Sequence, residues 1–152
     1  MLVAVALACG LACSRTTPVP TGDIAASLAV PRLDGPVFDP QVLRGRPALV
    51  TFWRPGCVHC EAELPQLAAT ARAAGVPAVA VAMTRKTDAI RAVIDRVGFD
   101  GIVLVDDGTL RRRYQVTKVP YTLVLRPDGT AARALLGAHG GPALAAALSE
   151  AR

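Results

Sequence analysis

Cys57-Val58-His59-Cys60 places two thiols one helical turn apart, directly after an apolar run from Ala48 to Trp53. Two cysteines at that spacing can form and break a disulfide. If Cys57 opens the following helix, the unpaired backbone N–H groups and the positive end of the helix dipole favour its thiolate, the species that attacks disulfides. His59 adds a second source of positive charge between the thiols.

Other chemistries that use this spacing are short of parts. A closed zinc site needs four ligands; the candidates are Cys57, His59, Cys60 and His139, and no second knuckle completes a tetrahedron. Covalent haem attachment requires His immediately after the second cysteine, where the chain has Glu61. Soft thiolates suit Cu(I), so a copper carrier using Cys57, Cys60 and His59 or His139 is chemically feasible. Spacing alone also leaves an inert disulfide open. The expected cofactor is none beyond a redox-active disulfide of Cys57 with Cys60, and the expected metal is none.

The elements that must position this pair come from an ordinary chain of 152 residues, 52% of them hydrophobic. That is one domain's length, with material for a core that needs no disulfide staples, so the two internal cysteines are free to be chemical. Net charge is +5, yet the only dense basic run is Arg111-Arg112-Arg113, beside Tyr114. Without an aromatic-interleaved basic stripe or a reading motif, it is a solvated helix face and no nucleic acid is expected.

Leu2 to Ala12 is apolar and small-residue rich, too short for a spanning helix of about 20 residues but suited to a signal peptide core. Cys13, in Leu11-Ala12-Cys13, looks like a bacterial lipoprotein cleavage site, with Leu7-Ala8-Cys9 as a second candidate. The expected organisation is a signal peptide over 1–13, a flexible linker over 14–25 and a folded domain over 26–152. The chain would then work in the periplasm or cell envelope, touching membrane only through a lipid on Cys13. Disulfides persist in that compartment.

From Asp23 onward, β-like runs alternate with helical patterns. The spacing predicts a hairpin over 29–37 around Asp34-Gly35, strands over 48–53, 78–83, 102–105 and 121–125, and, after the turn Pro127-Asp128-Gly129, a strand over 130–136. It predicts helices over 57–74, ended by Gly75 and Pro77, and over 87–97, capped by Thr87 or Asp88. A helical turn over 110–114 and a last helix opened by Gly141-Pro142 complete the pattern. Such interleaving argues an α/β sandwich with a mixed sheet.

Thr51-Phe52-Trp53, the CVHC motif, Pro65 five residues after Cys60, and Val119-Pro120 ahead of a strand resemble the thioredoxin fold. The resemblance narrows to the TlpA/ResA/DsbE branch through Leu33-Asp34-Gly35, Leu43-Arg44-Gly45-Arg46-Pro47, Glu61-Ala62-Glu63-Leu64-Pro65, Tyr114-Gln115-Val116, Pro120-Tyr121-Thr122 and Pro127-Asp128-Gly129. It implies a thioredoxin-like sandwich, a central mixed sheet flanked by helices, with an N-terminal β-hairpin extension. It also implies thiol-disulfide exchange.

In that family's terms Cys57 is the attacking thiol, and Cys60 resolves the mixed disulfide. Glu63 is the acidic residue beneath the site that could take the Cys60 proton. Thioredoxin itself uses an aspartate six positions before the first cysteine, where this chain has Thr51. Glu61 reads as a solvated helix residue, and Pro65 would kink the active-site helix. Pro120 is expected to be cis, with Val119 offering backbone for strand-like pairing with a substrate, while Val58, His59 and Trp53 tune the pair.

The implied partners are exported proteins with thiols or disulfides, apocytochrome c among the candidates, and a membrane electron donor of the DsbD/CcdA type. His59 stands where reductive members carry Pro, and Gly56 where they carry an aromatic. The dipeptide with His59 argues a more oxidising poise, while the branch argues for a reductase, which is the preferred direction; an oxidase or isomerase is the alternative. A thiol peroxidase of the related peroxiredoxin type wants Thr three residues before the reactive cysteine, and Arg54 stands there. Metal-carrying relatives of the fold separate their cysteines by three residues, against two here.

Overall fold

The computed structural model describes residues 17–152. The expected signal peptide and Cys13 lie outside the described residues. Strand β1, Ala48–Trp53, is buried at every position. It can be so because it is the central strand of five, in the order β3-β2-β1-β4-β5. Strands β2 (Ala78–Ala82) and β3 (Ile102–Val105) run parallel to it, while β4 (Tyr121–Leu125) pairs antiparallel with β1 and with β5 (Ala131–Leu136). This is the expected mixed sheet.

Side chains alternate across the sheet, so β1 feeds two cores. Leu49 and Trp53 point to one, where helix α2 (Val58–Ala74) brings Leu64 and Leu67, α3 (Thr87–Val97) brings Ile90, and α5 (Gly141–Ser149) brings Leu144 and Leu148. Val50 and Phe52 point to the other, which is closed by the short helices α1 (Ile24–Ser27) and α4 (Thr109–Arg113) and by a 3-10 turn, Pro40–Leu43. Leu64 and Leu67 are fully buried, contributing roughly 1.5–3 kcal/mol each by removal from water.

Most predicted elements sit where the spacing puts them, and the exceptions have local causes. The expected hairpin over 29–37 shrinks to one isolated bridge between Pro31 and Val37. Pro31 and Pro36 have no N–H to give to a ladder. The stretch docks on the edge of β3 instead: the Leu33 amide donates to the Val103 carbonyl at 2.9 Å, and the Val105 amide to the Pro31 carbonyl at 2.9 Å.

The expected linker ends earlier than residue 25. Ile24 and Ala25 are fully buried in α1, and their amides donate to the Gly129 carbonyl at 3.0 and 3.1 Å. Asp23 caps this helix by accepting from the Ala26 amide, and Arg44 pairs with Asp23. Helix α3 is capped neither by Thr87 nor by Asp88: Lys86 holds the cap position, without a side-chain bond. Helix α2 begins one residue later than the pattern suggests, leaving Cys57 as its cap, and it continues through Pro65 unbroken.

Candidate active site

The C-terminal end of β1 releases the chain into Arg54-Pro55-Gly56, and after Cys57 α2 starts at Val58. Gly56 has φ +81°, a backbone state that side chains rarely adopt, although a Cβ there would meet open space. Conformation, not crowding, asks for glycine. Its amide donates to Glu61 Oε1 at 3.2 Å, while Glu61 Oε2 pairs with Arg96 at 2.9 Å. The Arg96 guanidinium first, and the Gly56 amide after it, hold the Glu61 carboxyl below its usual value of 4.5. Expected as a solvated residue, Glu61 is instead a tie between the active-site turn and α3.

Cys57 caps α2 with sulfur: Sγ accepts from the Cys60 amide at 3.2 Å. One of the helix's orphan N–H groups thus points at this sulfur, which is how a helix start favours a thiolate. Cys57 and Cys60 form a disulfide. Its two ends differ in access, since Cys57 is partly exposed and Cys60 is 1% exposed. The Val119–Pro120 peptide bond is cis, and Cys57 Sγ lies 4.0 Å from the Val119 carbonyl oxygen. Val58 and His59 project from the first turn as exposed residues, and Trp53 is fully buried with its indole N–H lacking an acceptor.

Glu63 lies one turn along α2 from Cys60 and is only 2% exposed. Its Oε1 accepts from the Thr122 hydroxyl at 2.6 Å, and the Thr51 hydroxyl lies 3.3 Å from the same oxygen and 2.8 Å from Thr122. Its Oε2 accepts from the His139 amide at 2.8 Å. Thr51 and Thr122 face each other across the β1–β4 ladder, so the sheet supplies both hydroxyls at one register position. A buried carboxylate needs such partners.

His139 was singled out by the sequence only as a candidate metal ligand. Its backbone amide satisfies Glu63, and its Nδ1 lies 2.7 Å from the Gly137 carbonyl and 3.8 Å from Glu63 Oε2. Among the described residues no group of three or more His, Cys, Asp and Glu side chains converges. The amide of His139 carries no sequence signal, because any residue but proline could donate it. Glu61 gave a weak one, as an acidic residue in a first helical turn below a glycine.

Beside Cys57 lies a groove of about 630 Å³ whose lining includes Arg54, His59, Arg111, Lys118 and Val119. It brings the residues just before α2 together with the end of α4 and the loop to β4.

Residues 21–134 match the sequence profile of the AhpC/TSA family. Over 130 residues the chain is 33% identical to the soluble secreted antigen MPT53 of Mycobacterium tuberculosis and Mycobacterium bovis, spanning 84% of this chain and 74% of that protein. It is 24% identical over 112 residues to the thiol-disulfide oxidoreductase ResA of Halalkalibacterium halodurans, covering 71% of this chain and 64% of that one. The crystal structure of a secreted Mycobacterium tuberculosis disulfide oxidoreductase homologous to Escherichia coli DsbE superposes with a TM-score of 0.74 at 28% identity, covering 84% of this chain and 98% of the other. MTB DsbF gives 0.75 at 26% identity, covering 89% and 100%. A thioredoxin-like sheet, a disulfide at the head of α2 and these relatives agree: the chain belongs to the AhpC/TSA family and is a thiol-disulfide oxidoreductase of the DsbE and ResA type, with Cys57 and Cys60 as its redox pair.

Proposed function

We propose that this chain is an exported enzyme that reduces disulfides in periplasmic proteins, with cytochrome c maturation among the uses of that activity. The observation that carries the mechanism is the unequal access of the two sulfurs: one partly exposed at a helix start, the other sealed beneath it. The reduced protein attacks first. The Cys57 thiolate bonds to one substrate sulfur, the substrate disulfide breaks, and its second sulfur leaves as a thiolate that takes up a proton. Cys60, deprotonated, then attacks Cys57 Sγ, closing the Cys57–Cys60 disulfide and releasing the remaining substrate thiol. Two electrons pass from the protein to the substrate.

Glu63 receives the Cys60 proton in this reading. Support comes from its burial one turn along the same helix and from hydrogen bonds that fix it on the sheet. Val119 lends its carbonyl, 4.0 Å from Cys57 Sγ, to an extended substrate segment, and Pro120 shapes that turn. Val58 and His59 tune the pair from the exposed first turn, and Trp53 from below. A membrane donor of the DsbD/CcdA type restores the dithiol, and a lipid on Cys13 holds the protein at the membrane. Secretion of MPT53 supports the export reading.

His59 favours a second direction. An exposed imidazole beside Cys57 stabilises the thiolate in its protonated form, which would favour the reduced protein and make the disulfide a better oxidant. Equilibration with glutathione separates the two. A potential near thioredoxin's, about −270 mV, supports reduction, and one near DsbA's, about −120 mV, supports disulfide donation.

A further inference from the structure

Three cations face the groove beside Cys57, namely Arg54, Arg111 and Lys118, and no Asp or Glu lines it. Six guanidiniums elsewhere on the described surface have carboxylates, among them Arg72 with Asp100, Arg91 with Asp34, and Arg133 with Glu150, and others such as Arg32 and Arg46 do not. None of the three groove cations is in an ion pair among the described residues, and the acids near them in sequence are engaged elsewhere, Asp107 with Arg85 at 3.3 Å. Glu61 is committed to Arg96 and the Gly56 amide. Asp106 is buried, accepting from the amides of Leu110 and Arg111 at 3.0 Å, so it meets the backbone of Arg111.

The result is a positive groove, open to solvent, that ends at the accessible sulfur. Arg112 and Arg113 continue the charge on the exposed end of α4. Two arginines and a lysine, with no acidic side chain among them, thus stand where a substrate must approach. Charge arranged this way raises the encounter rate with an anionic partner and disfavours a cationic one.

We propose that the groove receives an acidic segment of the substrate protein, adjacent in its chain to the cysteine that Cys57 attacks. The proposal rests on the exchange reading above and names its substrate class. Arg54 precedes α2 and Lys118 precedes Val119, and both line the groove with Cys57, so carboxylates beside the substrate cysteine meet them while its backbone reaches Val119.

Three peptide disulfides of equal length, with Glu, Gln or Lys beside the cysteine and a neutral small thiol as the other half, test this against the fully reduced full-length protein. Each rate is divided by the rate of dithiothreitol with the same peptide, which removes intrinsic differences in leaving-group reactivity. The expected order is Glu, Gln, Lys, with the Glu peptide roughly tenfold faster than the Gln peptide at low salt. The ratio should fall toward one near 1 M salt, where the screening length is about 3 Å. The double substitution Arg111→Gln with Lys118→Gln should collapse the order. Arg32→Gln with Arg46→Gln, an equal loss of charge at the far end of β1, should keep it. Equal rates for the three peptides, or an order that survives in the Arg111/Lys118 variant, would overturn the groove proposal and leave the exchange reading standing. Failure of all three peptides to react would overturn both.

Discussion

The two sulfurs of one disulfide sit in opposite surroundings. Cys57 faces solvent, a helix start and a groove lined by Arg54, Arg111 and Lys118; Cys60 faces the interior, on the side of α2 that also carries Glu63. One side is positive and open, where an anion is welcome and a partner can reach. The other is closed and holds one carboxylate whose oxygens are bonded to two strands and a turn. The difference teaches that a CxxC pair is made directional by its surroundings, since the two residues are chemically the same.

The widest break in that comparison comes from removing either sulfur. Cys57→Ser should abolish exchange, to below detection in a disulfide reduction assay, because the buried sulfur has no access to substrate. Cys60→Ser should keep the first attack and accumulate mixed disulfides on Cys57, visible as thiol-sensitive adducts by mass spectrometry. Adducts on Cys60 in the Cys57→Ser protein would show that the two sides are interchangeable.

The interior side is tested next. Glu63→Gln keeps the shape but brings an amide nitrogen, a donor, into a node already supplied with three donors. It should lower stability by about 1–3 kcal/mol, read from denaturant unfolding. Resolution of the mixed disulfide should slow by a factor of about 100 or more, while the first attack by Cys57 keeps its rate. Leu67→Ala separates stability from chemistry: it should cost about 2–5 kcal/mol and leave the ratio of the two steps unchanged.

What the sequence showed follows the same division. The strands, the long helices and the cysteine pair were legible because period-2 and period-3.6 patterns, together with glycine and proline stops, are local signals. The carboxylate at Glu63 was legible as a residue, but its burial was not. That burial depends on Thr51, Thr122 and the His139 amide, which are 12, 59 and 76 positions away and meet only in the assembled sheet. Glu61 was misread for the same reason, since Arg96 reaches it from another helix. The hairpin over 29–37 failed through its prolines, where the turn at Asp34-Gly35 suggested a ladder that missing N–H groups could not complete. The run Arg111 to Arg113 read as solvated surface, which it is, and nothing in the sequence pointed the first of these arginines toward Cys57.

The smallest effect concerns the turn that carries Cys57. Because the folded Glu61 carboxyl sits below its ordinary value, its pairing contributes stability above about pH 4.5 and loses it as pH falls through the lower folded value. Glu61→Gln should therefore be less stable than the parent at neutral pH, with the gap closing on acidification. A gap that is constant with pH would place the effect in packing and not in charge.

The unequal reactivity of the two thiols is tested most directly by limited alkylation of the fully reduced protein at neutral pH, followed by peptide mapping. Iodoacetamide should label Cys57 early and leave Cys60 unmodified until the protein is unfolded. Labelling of Cys60 at the rate of Cys57 in the folded protein would contradict the account.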